Sequence, residues 1–301
     1  MKRMKKLVNV LHHFLYTTRK AQQTDLLLLG TILARQNKDL PVLDNLAAAE
    51  FKVFSQNGDD GIIQYLINKV HVPSTTFVEF GVENYVESNT RFLLKYNNWS
   101  GVVIDGSEKS ISYIRSDDIY YQHDLKAVKA FINRDNINDL IASQGLQGEI
   151  GLLSVDIDGN DYWVWKAINI VDPVIVVAEY NSVFGIDRAI TVPYQPDFIR
   201  ERAHYSHLYF GASLKALCML AEEKGYAFVG ANSVGNNAYF VKKSRLGPLK
   251  ALTPEEGYIY SRFRESRDKK GNLNYLSGHD RYECIKGMPV HNVATGIQEQ
   301  L

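Results

Sequence analysis

Short apolar runs, each followed closely by an acidic side chain, recur through the middle of the chain. The acids that follow the five runs are Glu79, Asp105, Asp124, Asp156 and Glu179. Segments of helix length separate the runs, and this alternation is typical of a parallel sheet that helices cover on both faces. Ligands bind such sheets outside the carboxyl ends of the strands. We therefore expect the five acids to line one crevice and to bind a ligand that carries hydroxyls, amines or positive charge.

The same pattern predicts the elements and their order. Strands are predicted at 76–81, 101–105, 119–122, 150–156 and 174–179, and helices at 61–70, 86–98, 108–115, 125–132, 137–143 and 161–168. A helix over 212–224 is followed by runs at 226–229 and 238–241 around a turn, which indicates an antiparallel hairpin. We therefore expect a mostly parallel seven-stranded α/β sheet with a C-terminal hairpin, the Rossmann-like class I methyltransferase fold. The antiparallel hairpin argues against a nicotinamide dehydrogenase, because the sheet of such an enzyme stays parallel to its last strand.

Two flanking segments differ from the predicted sheet domain, which covers residues 51–243. Residues 1–50 are expected to be helical, with helices at Lys5–Tyr16 and Thr24–Gln36, and residues 1–20 contain basic side chains but no acidic ones. These helices either pack on the domain or on a second copy, or form an amphipathic segment that contacts the inner membrane surface. Residues 244–301 are expected to be an irregular extension that covers the site, contributes to an oligomer contact, or does both.

Composition narrows the function classes. The formal net charge is zero, so attraction of the whole molecule to nucleic acid is not expected. Cys218 and Cys284 are the only cysteines and lack a metal-ligand spacing, which indicates a reducing compartment. We therefore expect a cytoplasmic protein, peripheral at the inner membrane face if its basic N-terminus binds there.

The first predicted crevice suits a nucleoside with a cationic end. Gly81 would let the backbone approach a ligand, but no glycine-rich phosphate fingerprint follows it. Glu79 and Glu83 would repel a pyrophosphate and attract an ammonium or sulfonium, which favours S-adenosylmethionine over NAD. Asp105 is placed to accept both ribose hydroxyls, with Ser107 beside it, and Asp124 could accept from an adenine amino group. The alternative for these acids and Ser107 is a helix N-cap.

Five segments share the motifs of a known family. They are Ser55–Gly61, Phe77–Glu83, Glu87–Thr90, Trp99–Gly101 with Ile104–Ser107, and Leu153–Gly159. Together they resemble the FkbM-type branch of S-adenosylmethionine-dependent methyltransferases, particularly members found among polysaccharide-biosynthesis proteins. The resemblance covers roughly residues 54–241 and departs from a common methyltransferase pattern at Glu83, where many members have a second glycine.

The resemblance also implies a set of cofactor contacts. They are Ser55, Gln56, Glu79, Gly81, Asn89, Asp105, Ser107 and Asp124. Asp59 or Asp60 would close over the methionine moiety together with Ser55 and Gln56. For Ser55 the alternative is again a helix cap.

A second crevice is predicted at the tips of the fourth and fifth strands. Asp156 and Asp158 lie on one side of an extended chain, and with Glu179 they form an oxygen cluster suited to Mg²⁺ or Ca²⁺. Such an ion could bind sugar hydroxyls and lower the pKa of one of them, a pattern that resembles metal-dependent sugar O-methyltransferases. Without a metal, Asp156 or Asp158 could act as the general base. His204 and His207 are further candidate bases, with packing in a tyrosine-rich loop as their alternative.

The sequence therefore predicts an S-adenosylmethionine-dependent O-methyltransferase that acts on a sugar hydroxyl of a surface polysaccharide or glycoconjugate. Its expected partner is a sugar or glycan acceptor, with Mg²⁺ and a homo-oligomer left open. Two alternatives remain: an NAD-dependent enzyme that modifies nucleotide sugars, and a methyltransferase-like interaction module without catalytic activity.

Overall fold

A mostly parallel sheet of seven strands forms the centre of the protein. The computed structural model describes the backbone of residues 2–301, and the side chains of residues 10–301 apart from residues 12, 13, 15, 16 and 19. The strands are β1 Thr76–Phe80, β2 Ser100–Asp105, β3 Leu125–Lys129, β4 Gly148–Val155, β5 Val171–Glu179, β6 Ile190–Thr191, β7 Tyr226–Ala231, β8 Asn237–Lys242, β9 Pro289–Asn292 and β10 Ile297–Gln300.

The strand order of the large sheet is β3-β2-β1-β4-β5-β8-β7. Strands β1 to β5 pair in parallel, whereas β8 pairs antiparallel with both β5 and β7. The predicted Rossmann-like α/β sheet with its C-terminal hairpin is therefore confirmed. The strand order reverses between β1 and β4, which is where sheets of this kind leave a crevice.

Helices cover both faces of the sheet. They are α1 Lys2–Lys38, α2 Asp59–Lys69, α3 Arg91–Tyr96, α4 Glu108–Ser116, α5 Ile119–Gln122, α6 Ile137–Ser143, α7 Asp161–Ala167, α8 Arg200–Ala203, α9 Leu214–Glu223, α10 Pro254–Gly257 and α11 His279–Ile285. Short 3₁₀ turns lie at Leu46–Ala49, Ser182–Phe184 and Lys243–Arg245.

Two apolar layers explain why the central strands are mainly apolar. Val78 and Leu153 point into one layer, beneath α7 and α9, while Phe77 and Leu152 point into the other, beneath α2. Successive side chains of a strand alternate between the faces of a sheet, so a strand buried on both faces has few polar positions.

The third strand lies later in the chain than the sequence predicted. Ile119–Gln122 forms helix α5, and the strand is Leu125–Lys129, so the predictions of a strand at 119–122 and a helix at 125–132 were wrong. Of the run that suggested a strand, only Ile119 is buried, and Tyr121 is exposed to solvent. The true strand is at the sheet edge and buries one face, with Leu125 and Ala127 inward, so it lacks the continuous apolar run of the inner strands.

The N-terminal segment is one helix instead of the two predicted. Helix α1 packs through its second half, where Gly30 and Ala34 lie against Val53 and Phe92. Other apolar side chains of this helix, including Leu28 and Leu29, are exposed. The membrane contact and the homo-oligomer both stay predictions. Among the described residues, no helix is long and apolar enough to cross a bilayer.

The C-terminal segment has more structure than the irregular extension that was predicted. Strands β9 and β10 form a hairpin, and β9 pairs with β6 to make a second, three-stranded sheet. Upstream of this sheet, Tyr258 donates to the Ser182 carbonyl oxygen at 2.7 Å, and the Ser261 amide donates to the Ser182 hydroxyl at 2.9 Å. These bonds hold the segment across the carboxyl end of β5.

Buried carboxylates fix the chain that leads into the sheet. One Asp60 oxygen accepts from the backbone amides of Val53, Phe54 and Ser55 and from the Ser55 hydroxyl, while its other oxygen is buried without a partner. Asp59 accepts from the side chains of Asn232, Asn237 and Tyr239. Both acids therefore serve the fold, and neither closes over the crevice as the resemblance implied.

Asp60→Asn is expected to flatten the pH dependence of stability. Burial raises the pKa of Asp60 from 3.8 to about 6, so the folded chain binds this proton more tightly than the unfolded chain. The carboxyl therefore makes the free energy of unfolding fall as pH rises from about 4 to about 6, by about 3 kcal/mol at most. Asparagine keeps the shape and cannot titrate. Urea unfolding across this interval should show a smaller fall for the variant than for the wild type and for the exposed control Asp39→Asn. Parallel profiles for all three proteins would contradict the assignment.

Candidate active site

A cleft of about 800 Å³ lies at the carboxyl ends of β1, β2, β4 and β5. Nine of the residues predicted from sequence line it: Gln56, Glu79, Gly81, Asn89, Asp105, Asp156, Asp158, Glu179 and His207. The hairpin turn between β7 and β8 and the C-terminal segment close its far side through Asn236, Ser261 and Arg281. Four of the five acids predicted to share one crevice, all except Asp124, thus line a single cleft with one end at β2 and the other at β5.

Gly81 allows the ends of β1 and β4 to meet. Its φ is +67°, and a Cβ at this position would lie 1.7 Å from the carbonyl oxygen of Asp156. Two residues later, Glu83 also has a positive φ, of 46°. Glycine adopts such a conformation most easily, so the backbone at Glu83 is one that a glycine would also favour.

Asp105 is held ready at the end of β2. One of its carboxylate oxygens accepts from the Glu83 amide at 2.8 Å, and the other accepts from the Ser107 amide at 2.7 Å. A carboxylate oxygen has two lone pairs, so each oxygen keeps one for a ligand hydroxyl. The side chain is buried yet lines the cleft. This geometry suits a pair of ribose hydroxyls.

Glu79 serves the cleft indirectly, by shaping one of its walls. Its carboxylate accepts from the amides of Asn89 and Thr90 and from the hydroxyls of Ser88 and Thr90. Burial raises the pKa of Glu79, and these four bonds oppose that rise. Glu79 therefore fixes the conformation of the loop 88–90. The Asn89 side chain in this loop also donates to the Ser154 hydroxyl on β4.

Three predicted cofactor contacts do not reach the cleft. Ser55 is buried against Asp60, and Ser107 is the N-cap of α4, where its hydroxyl accepts from the Ser110 amide. Asp124 precedes β3 instead of following it, so it lies at the opposite end of the sheet. Where Asp124 was expected, the chain after β3 presents Ala130, Phe131 and Ile132 to the cleft. A nucleoside base in this part of the cleft would therefore contact apolar and aromatic side chains.

At the other end, three acids from β4 and β5 come together. Carboxylate oxygens of Asp156, Asp158 and Glu179 lie within 4.8 Å of one another. One Glu179 oxygen is buried without a hydrogen-bond partner. Burial, reinforced by the neighbouring carboxylates, raises the pKa of Asp156 and that of Glu179 well above their ordinary ranges. The cluster therefore needs positive charge, from a proton or from a bound cation.

Arg200 supplies part of that charge. Its guanidinium donates to Asp158 at 2.5 Å and to the His207 carbonyl oxygen at 2.7 Å, and it lies over the Phe210 ring.

His207 itself lines the cleft, but His204 does not. The His204 ring bonds to the Ser206 hydroxyl, and burial lowers its pKa. Of the two histidines, only His207 stays a candidate base.

The structure also shows lining residues that the sequence did not single out. Phe131 follows the misplaced third strand, so a correct strand position would have found it. Arg200, Arg262 and Arg281 come from segments without periodicity, and they line the cleft only because the long chain after β5 folds back over it. Two tyrosines of this long chain serve the fold: Tyr194 donates to Asp135 and Tyr209 to the Pro289 carbonyl oxygen.

Comparison with known proteins gives distant structural neighbours only. The chain matches no protein-family model and no curated protein sequence. Among solved structures it is similar to the N-terminal domain of EvdMO1 with S-adenosylhomocysteine bound, at 10% identity and a TM-score of 0.40, covering 62% of this chain and 80% of that one. It is also similar to an O-methyltransferase from Bacillus cereus in complex with S-adenosylhomocysteine, at 13% identity and a TM-score of 0.40, covering 73% and 89%. Structural neighbours this distant do not identify a substrate or a reaction.

Gly81→Ala is expected to damage the cleft and the sheet together. The added Cβ would collide with the Asp156 carbonyl oxygen, so β1 and β4 must move apart. We expect a loss of roughly 2 kcal/mol or more in the free energy of unfolding, measured by urea denaturation. Gly106→Ala is the matched control, because Gly106 also lines the cleft and its Cβ would meet nothing nearer than 3.8 Å. Equal stability of the two variants would refute the close approach.

Proposed function

We propose that the protein is an S-adenosylmethionine-dependent O-methyltransferase whose acceptor is a sugar hydroxyl. One observation carries the proposal: a single cleft holds a carboxylate suited to a ribose at one end and a base cluster at the other. Asp105 marks the first end, and Asp156 with Glu179 marks the second. The positively charged sulfonium would lie between them, where acidic side chains stabilise it.

The cofactor supplies an electrophilic methyl group, and the chain supplies its orientation. Asp105 accepts the ribose hydroxyls, and Phe131 offers a surface for the adenine. Gly81 keeps the ends of β1 and β4 in contact, which sets the position of Asp156. These contacts fix the direction of the methyl group, and positioning of this kind provides most of the rate gain in a transfer that needs no covalent intermediate with the protein.

A base for the acceptor hydroxyl favours transfer to oxygen. As the oxygen–methyl bond forms, the sulfur–methyl bond would break to leave S-adenosylhomocysteine, and a carboxylate of Asp156 or Glu179 can accept the hydroxyl proton. Burial raises the pKa of both groups, which makes each carboxylate a better proton acceptor than an exposed one. His207, on the same side of the cleft, is a second acceptor for the proton.

The acid cluster also fits a divalent cation. Three carboxylates with oxygens this close, one of them with a buried unpartnered oxygen, are a donor set suited to Mg²⁺ or Ca²⁺. A bound cation would lower the pKa of a coordinated hydroxyl. Asp158 would have to share its charge between the cation and Arg200. The alternative is that Arg200 alone offsets the cluster and a carboxylate acts as the base without metal.

The glycan acceptor rests on the resemblance to FkbM-type members associated with polysaccharide biosynthesis. The cleft supports it in one respect. Its acceptor end is polar, and the half-buried Asn236 lies beside the acids, where its side-chain amide can bond with hydroxyls. Asn181 also lines this end, but its amide already donates to the carbonyl oxygens of Leu208 and Phe210. A surface polysaccharide precursor or a related glycoconjugate is therefore the proposed substrate class.

Asp105→Ala is expected to weaken binding of S-adenosylhomocysteine. The variant loses an ionic acceptor for the ribose hydroxyls, so affinity should fall about tenfold or more in calorimetric titration. Asp124→Ala is the matched control, since Asp124 precedes the neighbouring strand at the far end of the sheet. Circular dichroism would show that both variants are folded. Equal affinities of the two folded variants would refute the ribose assignment, and no binding to the wild type would refute the proposed cofactor.

Asp156→Asn is expected to separate cofactor binding from chemistry. The side chain keeps its shape but loses its negative charge, so S-adenosylhomocysteine should still bind while turnover of a sugar acceptor falls by about 100-fold or more. Titration of the wild type with Mg²⁺ before and after chelation tests the cation. If Mg²⁺ binds the wild type but not Asp156→Asn, the metal lies at this cluster. If chelation leaves turnover unchanged, a carboxylate acts as the base without metal. Full turnover by the variant would exclude Asp156 from the reaction.

A further inference from the structure

Arg281 is a buried cation without an acidic partner. Its side chain is 6% exposed, and it lines the cleft from the first turn of α11. One guanidinium nitrogen donates to the Ser261 carbonyl oxygen at 2.9 Å, and the group lies 5.5 Å from the Tyr260 ring centre. Its Nε is buried without a hydrogen-bond partner, and in the described part of the chain no carboxylate lies within ion-pair distance of it.

Such an arrangement is unfavourable in the free protein. Removing a guanidinium from water is costly unless a counter-charge and hydrogen bonds replace the lost hydration. Burial lowers the pKa of Arg281, and the neighbouring Tyr260 offsets only part of that shift. A ligand that carries negative charge would supply the missing counter-charge and an acceptor for the free Nε.

Arg262 offers a second set of donors to the same cleft. Its side chain is exposed and makes no hydrogen bond or ion pair with any described residue, while its backbone amide is fixed to the Val234 carbonyl oxygen at 3.1 Å. Neighbouring arginines are already engaged: Arg264 donates to the Tyr275 carbonyl oxygen and Arg267 pairs with Glu265. Of the arginines in this segment, the two that line the cleft, Arg262 and Arg281, have no carboxylate partner among the described residues.

Their position favours the acceptor over the cofactor. Arg281 donates to the Ser261 carbonyl oxygen, and the Ser261 amide donates to the hydroxyl of Ser182, three residues after Glu179 of the acid cluster. A group bound by Arg281 and Arg262 would thus lie beside the proposed base cluster, away from Asp105 at the other end. Glu265 also lines this region, but Arg267 neutralises it at 3.3 Å.

We propose that Arg281 and Arg262 form a subsite for an anionic group of the acceptor, either a phosphoryl group or a carboxylate. The inference rests on the proposed function and narrows its substrate class to sugars that carry such a group, as nucleotide sugars and uronic acids do. Guanidinium groups bind both anions through charge-assisted hydrogen bonds, and a neutral sugar would leave Arg281 uncompensated.

The test uses three probes and full-length protein saturated with S-adenosylhomocysteine. Uridine diphosphate glucose presents phosphoryl groups, glucuronic acid presents a carboxylate, and glucose presents neither. Calorimetric titration should show that at least one charged probe binds the wild type at least about tenfold more tightly than glucose. Arg262→Ala and Arg281→Gln should each remove most of that difference. Arg264→Ala, two positions from Arg262 and outside the cleft lining, should leave it unchanged.

Other outcomes of these titrations would refute either the subsite or the proposed function. Arg262 is exposed, so its variant is expected to fold even if Arg281→Gln does not. The subsite is refuted if glucose binds as well as both charged probes, or if Arg262→Ala and Arg264→Ala bind them equally. It is also refuted if Arg262→Ala loses S-adenosylhomocysteine, because the arginine would then hold the cofactor carboxylate. Failure of the wild type to bind S-adenosylhomocysteine would instead refute the proposed function.

Discussion

The contact between the carboxyl ends of β1 and β4 is the constraint on which the cleft depends. Gly81 brings its Cα against the Asp156 carbonyl oxygen, a distance that only a residue without a Cβ permits. On one side of this contact, the chain continues to Glu83, whose amide orients Asp105. On the other side, it continues into Asp156 and Asp158. One close backbone approach therefore sets the distance between the two ends of the site.

Much of the polar chemistry in this cleft is held at a cost to stability. Asp156 and Glu179 lie close together where burial opposes their ionisation, and Arg281 is buried without a carboxylate. A fold selected for stability alone would replace such groups with apolar side chains. Functional sites commonly keep groups of this kind, because a ligand completes the charge balance when it binds.

The sequence was informative where burial dictates residue type. Strands β1, β2, β4 and β5 each contain an apolar run because both faces are covered, and the acids at the ends of these runs were found from that pattern alone. The edge strand β3 buries one face, so the pattern pointed to Ile119–Gln122 and misplaced Asp124. Arg200, Arg262 and Arg281 could not be predicted, since their positions follow from tertiary contacts such as Tyr258 with Ser182 and not from local periodicity.

The crossing of the C-terminal segment over β5 has a consequence for the order of assembly. Every strand of the large sheet precedes residue 243, whereas the wall that contains Arg262 and Arg281 comes later and is tied down at Ser182. A ribosome thus completes the end of the cleft at Asp105 well before it makes the wall with Arg262 and Arg281. Because domains generally begin to fold during synthesis, a nascent chain would pass through a stage in which the sheet end of the cleft is complete and the wall beside the acid cluster is absent.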